Sequence, residues 1–515
     1  MKVVIRADAS LQIGTGHVMR CLTLANALKK QGAEIEFICR AHQGNLIEHI
    51  ELQGFKVHGL CKSTTTVDSA AELKTNESPG REGLYGVKWL GTTQQEDAVQ
   101  SKPVLNAIKP DWLIIDHCAI NQTWQRLLEG ACKKLMVIDD LADREHQCDV
   151  LLDQTYGREP KEYADLVPEN CQLLLGSKYA LLRPEFAQWR SYSLQRRAQP
   201  ELKKLLITMG GVDPDNITGQ ILDKLKTCTL PREIEITVVM GLNAPCTASV
   251  IKQAEAMPFK THVKTNVSNM AEIMANSDLA IGAAGATTWE RCCLGLPSLQ
   301  VVVAKNQINI AEKLSEIHAV KYLRSMEELF ACLESIWRDI RKMVLVASSL
   351  TSACGTHNIV ECLVLSKVPE GHVLLEPISA TDCDYVYGLQ TKQVRKYFRN
   401  RNVPNLIEHT VWFNKALNSK YCQMFVLNFR GDKVGMLRVD NIHSQTVEIS
   451  IIVSPNFSGQ GLGRKALKAL ETILFSKKLK AVIHRDNIPS HKIFEAAGFE
   501  LSGRDGEFVE YYKDV

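Results

Sequence analysis

Residues 3–20 read VVIRADASLQIGTGHVMR. A β-branched run (3–6) passes through Asp8 into a turn carrying Gly14 and Gly16. The apolar residues of 18–31 then recur at helical spacing. A strand, a glycine turn and a helix in that order open a doubly wound α/β unit. Two glycines before a helix let the backbone approach an oxygen-rich ligand, and the helix start offers free N–H groups. His17 sits at that junction with Arg20 one turn on. A neutral imidazole there can take a proton from water near pH 7. These residues alone leave a helix-capping histidine equally open. GxGH is not a dinucleotide fingerprint, since no third glycine follows at the required spacing.

Working outward, short apolar runs at 34–39, 112–115 and 134–138 read as buried parallel strands. The last two end at Asp116-His117 and Asp139-Asp140, which could bind sugar amides or cap the following turns. Residues 62–83, polar and rich in Gly, Ser and Thr, read as a loop insertion. Residues 190–203 (RSYSLQRRAQPELK) read as a hinge. A second α/β series follows, with strands at 205–209, 235–240, 279–281 and 299–303 and a helix at 270–276. Two doubly wound units with a hinge predict a cleft at the carboxyl ends of their strands.

The second unit has its own glycine turns. Gly210-Gly211 follow one strand. Gly282-Ala-Ala-Gly285-Ala286-Thr287-Thr288-Trp-Glu290 follows another and predicts a phosphate cradle with two hydroxyls. Glu290 is placed to accept hydrogen bonds from ribose hydroxyls, or to stabilise its helix start. Asn306 and Gln307 could add polar contacts or simply be solvated loop.

Around residues 350–372 the pattern changes to α+β. Antiparallel strands are expected at 422–428, 433–439 and 447–453, with turns at Gly431-Asp432 and 440–445. The third leads into Ser458-Gly459-Gln-Gly461-Leu-Gly463-Arg464, an anion nest of alternate glycines. Asn487 and Ser490 precede a helix that closes on Phe494-Glu-Ala-Ala-Gly498-Phe499.

The apolar share of 45% is ordinary for a globular protein. At roughly 100–200 residues per domain, 515 residues make three or four compact units. A net charge of +3 gives no case for a nucleic-acid or membrane partner. No apolar signal core follows the first residues, and apolar stretches such as 294–304 fall short of the ~20 residues that span a bilayer. The 16 cysteines form no CxxC pair, so buried thiols in a cytoplasmic protein are expected rather than zinc or disulfides.

Residues 1–355 resemble the GT-B UDP-sugar hydrolases of pseudaminic acid biosynthesis, which act on UDP-2,4-diacetamido-2,4,6-trideoxy-β-L-altropyranose. The resemblance rests on RADAS…IGTGHVMRC (6–21), IIDH (114–117), VIDDLADR (137–144), LLDQTYG (151–157), YALLRPEF (179–186), MGGVDPDN (209–216) and IGAAGATTWERCCLGLPS (281–298). It implies that His17 is the base that activates water, with inversion, C–O cleavage and no metal. Asp8 is expected to orient His17, contact the sugar or cap its strand. The resemblance also implies that Gly14, Gly16, Arg20, Gly210, Gly211, Gly285, Ala286, Thr287, Thr288, Glu290, Asn306 and Gln307 bind substrate. A glycosyltransferase acting on a UDP-sugar is the alternative.

The C-terminal residues resemble the GNAT acetyltransferases. This implies acetyl-CoA as co-substrate, held by Ile452 and Val453 along the pantetheine, by Gly459, Gly461, Gly463 and Arg464 at the pyrophosphate, and by Asn487. Ser458 departs from the usual Arg or Gln. Glu448 is the candidate base, with a solvent-facing strand residue equally open. Phe494 fills the usual acid position and cannot donate, so Tyr511 or Tyr512 would have to substitute. His443 is expected to be structural. Residues 407–416 (IEHTVWFNKA) resemble acetyltransferases of 4-amino-6-deoxy nucleotide sugars. The expected domains are thus 1–190 and 200–358, forming a GT-B pair, and 371–515, a GNAT unit.

Overall fold

The computed structural model describes residues 1–61, 89–228, 230–241, 244–304, 307–364, 373–378, 382–417, 419, 421–429, 432–442, 444–471, 473–474 and 477–515. Within them lie three sheets.

Strands β1 (Lys2–Ala7), β2 (Glu34–Arg40), β3 (Lys56–Leu60), β4 (Trp112–Asp116), β5 (Lys134–Ile138), β6 (Val150–Asp153) and β7 (Gln172–Leu175) make the first, in the order β3-β2-β1-β4-β5-β6-β7. Every pairing is parallel. The sequence explains why. All five residues of β4 and all four of β6 are buried, so these runs need cover on both faces, which crossover helices supply. The second sheet contains β8 (Lys204–Thr208), β9 (Glu235–Met240), β10 (Lys260–Thr265), β11 (Leu279–Ala283), β12 (Ser298–Val301) and β13 (Lys321–Leu323), also parallel, in the order β10-β9-β8-β11-β12-β13.

Strand order reverses between β1 and β4 in the first sheet and between β8 and β11 in the second. Crossovers leave such switch points in opposite directions, and this opens a crevice beyond the strand ends. His17 follows β1 and Asp116 ends β4. Gly210-Gly211 follow β8, and Gly285–Thr288 follow β11. The sequence motifs thus occupy both switch points.

The helix Gly355–Val364 returns to the first lobe. Ile359, Val360, Cys362 and Leu363 join its core, and Trp112 Nε1 donates to the Leu363 carbonyl at 3.0 Å. Position 358, expected to close the second lobe, therefore lies inside an element that fastens the two lobes together. By length and composition the helical stretch Arg338–Val364 is apolar enough to cross a membrane, but 61% of its window is buried in the fold.

The third sheet is mixed: β14 (Val373–Pro377), β15 (Cys422–Phe429), β16 (Asp432–Asp440), β17 (Thr446–Val453), β18 (Lys478–His484), β19 (Glu500–Asp505) and β20 (Phe508–Asp514), in the order β14-β15-β16-β17-β18-β20-β19. Strands β17 and β18 are parallel and pair only through Thr446, Val447 and Glu448. Beyond Glu448, β17 stays with β16 while β18 stays with β20, so the two part.

Candidate functional site

The first lobe brings His17 and Asp116 together across the switch point. His17 is the second residue of the helix Gly16–Lys30, and its Nδ1 donates to Asp116 Oδ1 at 2.6 Å. The other Asp116 oxygen accepts from Arg20 Nε at 2.6 Å, while Arg20 Nη2 reaches Asp116 Oδ1 at 2.7 Å. Arg20 Nη1 holds Asp140 at 2.5 Å. Burial disfavours a charged imidazole, but the Asp116 carboxylate outweighs it and pushes His17 up to about 10. Burial would raise Asp116; Arg20 and His17 instead hold it well below the usual carboxylate range. The imidazole keeps 16% of its surface exposed, and its Nε2 has Cys118 Sγ at 3.8 Å.

Asp8 does not orient His17. It is fully buried, pairs with Arg6 at 2.5 Å and accepts from the Arg40 backbone N–H at 2.7 Å. The orienting carboxylate is Asp116, which the sequence places at a strand end to bind a sugar amide or cap the following turn. Arg20 is likewise corrected. Its guanidinium is spent on Asp116 and Asp140 and is only 6% exposed, so it positions other groups rather than gripping substrate.

The two lobes touch at this point. Gly14 has φ +80° and closes a turn back onto Ser10, its N–H donating to the Ser10 carbonyl at 2.9 Å. A Cβ on Gly211 would lie 2.1 Å from Thr15 Oγ1, so the loop after β8 packs directly against the residue beside Gly16. Gly210 has φ +90°, a conformation that favours glycine.

The second lobe's other glycine turn follows β11. Gly285 and Thr287 are half-buried and Ala286 is exposed. Thr287 Oγ1 accepts from Arg291 Nη1 at 3.0 Å. Thr288 is different from expectation: it is fully buried, and its hydroxyl oxygen already accepts from Gln300 Nε2 at 2.8 Å and Arg291 Nη2 at 3.2 Å. It supports the turn from beneath. Glu290 lies 3.6 Å from Arg183 Nη2; burial raises its carboxyl against the pull of Arg183. Gln307 uses Oε1 to accept from the Val303 N–H at 3.1 Å, which leaves Nε2 beside Gly285. Asn306 lies outside the described residues, as do His443, Gly431 and the 62–83 segment.

In the third sheet, Ile452 and Val453 lie on the part of β17 that has left β18. Gly459 and Gly461 have φ +80° and +70°, with open space where a Cβ would be. Gly463 is buried instead, and a Cβ there would meet Ile493 Cδ1 at 2.9 Å, so it serves helix packing. Arg464 is exposed beside the nest. Asn487 Oδ1 accepts from the Ser490 N–H at 3.3 Å, capping the helix Ile488–Ala496 and leaving its amide N–H groups to donate elsewhere.

The Glycosyltransferase family 28 C-terminal domain matches residues 204–354, and the Acetyltransferase (GNAT) domain matches residues 372–500. This chain joins a glycosyltransferase-28-like unit to a GNAT acetyltransferase domain. An uncharacterized protein of Methanocaldococcus jannaschii is 27% identical over 532 residues, with 99% of each chain covered. The UDP-2,4-diacetamido-2,4,6-trideoxy-beta-L-altropyranose hydrolase of Campylobacter jejuni is 26% identical over 321 residues, covering 61% of this chain and 97% of the relative. The crystal structure of Acinetobacter baumannii MurG aligns with 71% of this chain and 99% of its own, at TM-score 0.50 and 14% identity. That likeness establishes the two-lobed GT-B fold of the glycosyltransferase-28-like unit.

In the GNAT domain, Glu448 is half-buried at the last paired position before the strands part, opposite Lys480. Phe494 is buried edge-on against Phe499, ring centroids 5.0 Å apart. Tyr511 is also buried. Its hydroxyl lies 2.9 Å from both Glu495 Oε1 and His491 Nδ1, and burial with the Glu495 contact pushes it up to about 12. Tyr512 donates to Glu510 at 3.0 Å.

Proposed function

We propose that the glycosyltransferase-28-like unit hydrolyses a UDP-linked diacetamido-trideoxy sugar at its anomeric carbon, and that the GNAT domain acetylates the 4-amine of the corresponding UDP-amino sugar. The observation that carries the first half is the Asp116-held imidazole at the contact between two glycine-lined lobes. Water attacks the anomeric carbon and its proton passes to the neutral form of His17 at Nε2. The C–O bond breaks, and the electron pair leaves with UDP, on the side of the Gly285–Thr287 turn. UDP is a good leaving group, so backbone and hydroxyl donors suffice to stabilise its charge. The name of the Campylobacter jejuni relative supports this substrate class.

For the second half, acetyl-CoA lies along the free edge of β17 with its pyrophosphate over Gly459 and Gly461. Glu448 accepts the proton of the attacking amine, directly or through water. The two reactions are consecutive in chemistry: N-acetylation produces the diacetamido sugar that hydrolysis then releases. The family 28 match also fits a glycosyltransferase. Incubation of the intact protein with UDP-4-amino sugar, with and without acetyl-CoA and with no sugar acceptor, separates the readings by product mass. Free diacetamido sugar plus UDP is expected. Acetylated UDP-sugar that persists without UDP release would overturn the hydrolase.

A further inference from the structure

The turn at 283–288 lies against a buried cation that sequence reading passed over. Arg291 is 1% exposed, and among the described residues no carboxylate ion-pairs with it. Burying a guanidinium without a counter-charge is costly. Its burial lowers it from the usual range, to about 10. The structure makes room for it deliberately: a Cβ on Gly282 would lie 2.6 Å from Arg291 Nη1. Its donors go to the Ala283 carbonyl (Nη2, 2.7 Å), Thr288 Oγ1 (Nη2, 3.2 Å) and Thr287 Oγ1 (Nη1, 3.0 Å). Nε is buried with no partner.

We infer that Arg291 is a positioning residue that turns the Thr287 hydroxyl into an outward donor for the nucleotide diphosphate. A hydroxyl has one proton and can also accept. Arg291 has no lone pair to offer, so Thr287 Oγ1 can only accept from it. The Thr287 proton must therefore point away from the guanidinium, and Thr287 is the half-buried member of the pair while Thr288 is sealed beneath. An anion on the turn meets a fixed donor backed by a cation in a dry setting, where such bonds are stronger than in water. An anion there adds to the attraction that the neighbouring Glu290 already exerts on Arg291.

This inference rests on the UDP-sugar reading of the cleft and adds the residue that sets its diphosphate subsite. The test is calorimetric titration of the full-length protein with UDP and, separately, with uridine, which keeps the base and ribose but lacks the phosphates. R291M and T287V are each expected to weaken UDP roughly ten- to hundredfold, the worth of a charge-assisted bond, and to leave uridine affinity unchanged. Because one acts through the other, the double variant should bind UDP no more weakly than the worse single variant. T287S, which keeps the hydroxyl, should bind UDP like the parent. Equal losses for UDP and uridine, or losses that multiply in the double variant, would overturn the role of Arg291. If R291M does not fold, T287V against T287S decides: equal UDP affinity in those two overturns it. A parent protein that binds no UDP would sink the cleft assignment itself, a separate failure.

Discussion

His17 Nδ1 stands 2.6 Å from Asp116 Oδ1, and the two residues come from helix and strand elements 99 positions apart. That bond fixes the ring, whose Nε2 lies 3.8 Å from Cys118 Sγ. His17→Asn removes the proton acceptor but leaves the glycine turns intact. Hydrolysis is expected to fall by at least about 100-fold, the usual share of a positioned general base, while UDP still binds. UDP release at the parent rate, followed by coupled assay, would rule out His17 as the base.

The same pair dictates pH dependence. Asp116 raises His17 to about 10, so below that pH most molecules carry the imidazolium, which cannot accept a proton. Activity limited by the neutral imidazole should climb about tenfold per pH unit from 7 towards 9, as for any single titrating base. Asp116→Asn removes the raising charge and should move the inflection down towards the ordinary histidine value of about 6.5. An imidazolium acting as acid would instead give a flat profile from 7 to 9, with kcat/KM falling only as pH rises through about 10.

Thr15 and Gly211 carry the contact between lobes. Gly211→Ala puts a methyl 2.1 Å from Thr15 Oγ1, so the loops must separate or distort. Overpacking of this kind costs about 1–3 kcal/mol. Slower hydrolysis is expected, and Thr15→Gly should restore part of it, since Thr15 makes no side-chain cap bond that the change would forfeit. Steady-state rates for the two single variants and the double variant check this. No rescue would mean the loops do not meet in the working enzyme.

The architecture is readable where strands are wholly buried, as β4, β6, β11 and β12 are. Residues 134–138 and 235–240 form strands with the bounds expected of them. The short edge strand β13 carries three residues, and β10 is mostly exposed, so neither leaves an apolar run to detect. Within the site, His17 and the glycine turns were visible from local chemistry. The partnership with Asp116 was not, because parallel pairing of β1 with β4 joins residues nearly a hundred positions apart. IIDH at a strand end was the available clue. Asp8 was misassigned for a related reason: nearness in sequence to His17 hid the buried Arg6 beside it. Thr287 and Thr288 look alike in sequence, and only the packing of Gln300 and Arg291 tells the half-buried hydroxyl from the sealed one.

Gly459 and Gly461 separate the two halves experimentally. Both sit at left-handed φ, where an alanine costs roughly 1 kcal/mol or more of backbone strain. Open space surrounds each missing Cβ, so no clash adds to that cost and the fold should survive. The strain falls on the turn proposed to hold the CoA pyrophosphate. Gly461→Ala is therefore expected to raise the KM for acetyl-CoA several-fold, with a smaller effect on acetylation at saturating acetyl-CoA. UDP release from the already diacetylated substrate should be unchanged, because the His17 cleft belongs to separate sheets. Parallel assays of thiol release and UDP release on one preparation read both outcomes. If the acetyl-CoA KM were untouched, the glycine turn would not be the pyrophosphate nest; if UDP release also dropped, the two sites would be coupled through the helix Gly355–Val364 that fastens the lobes.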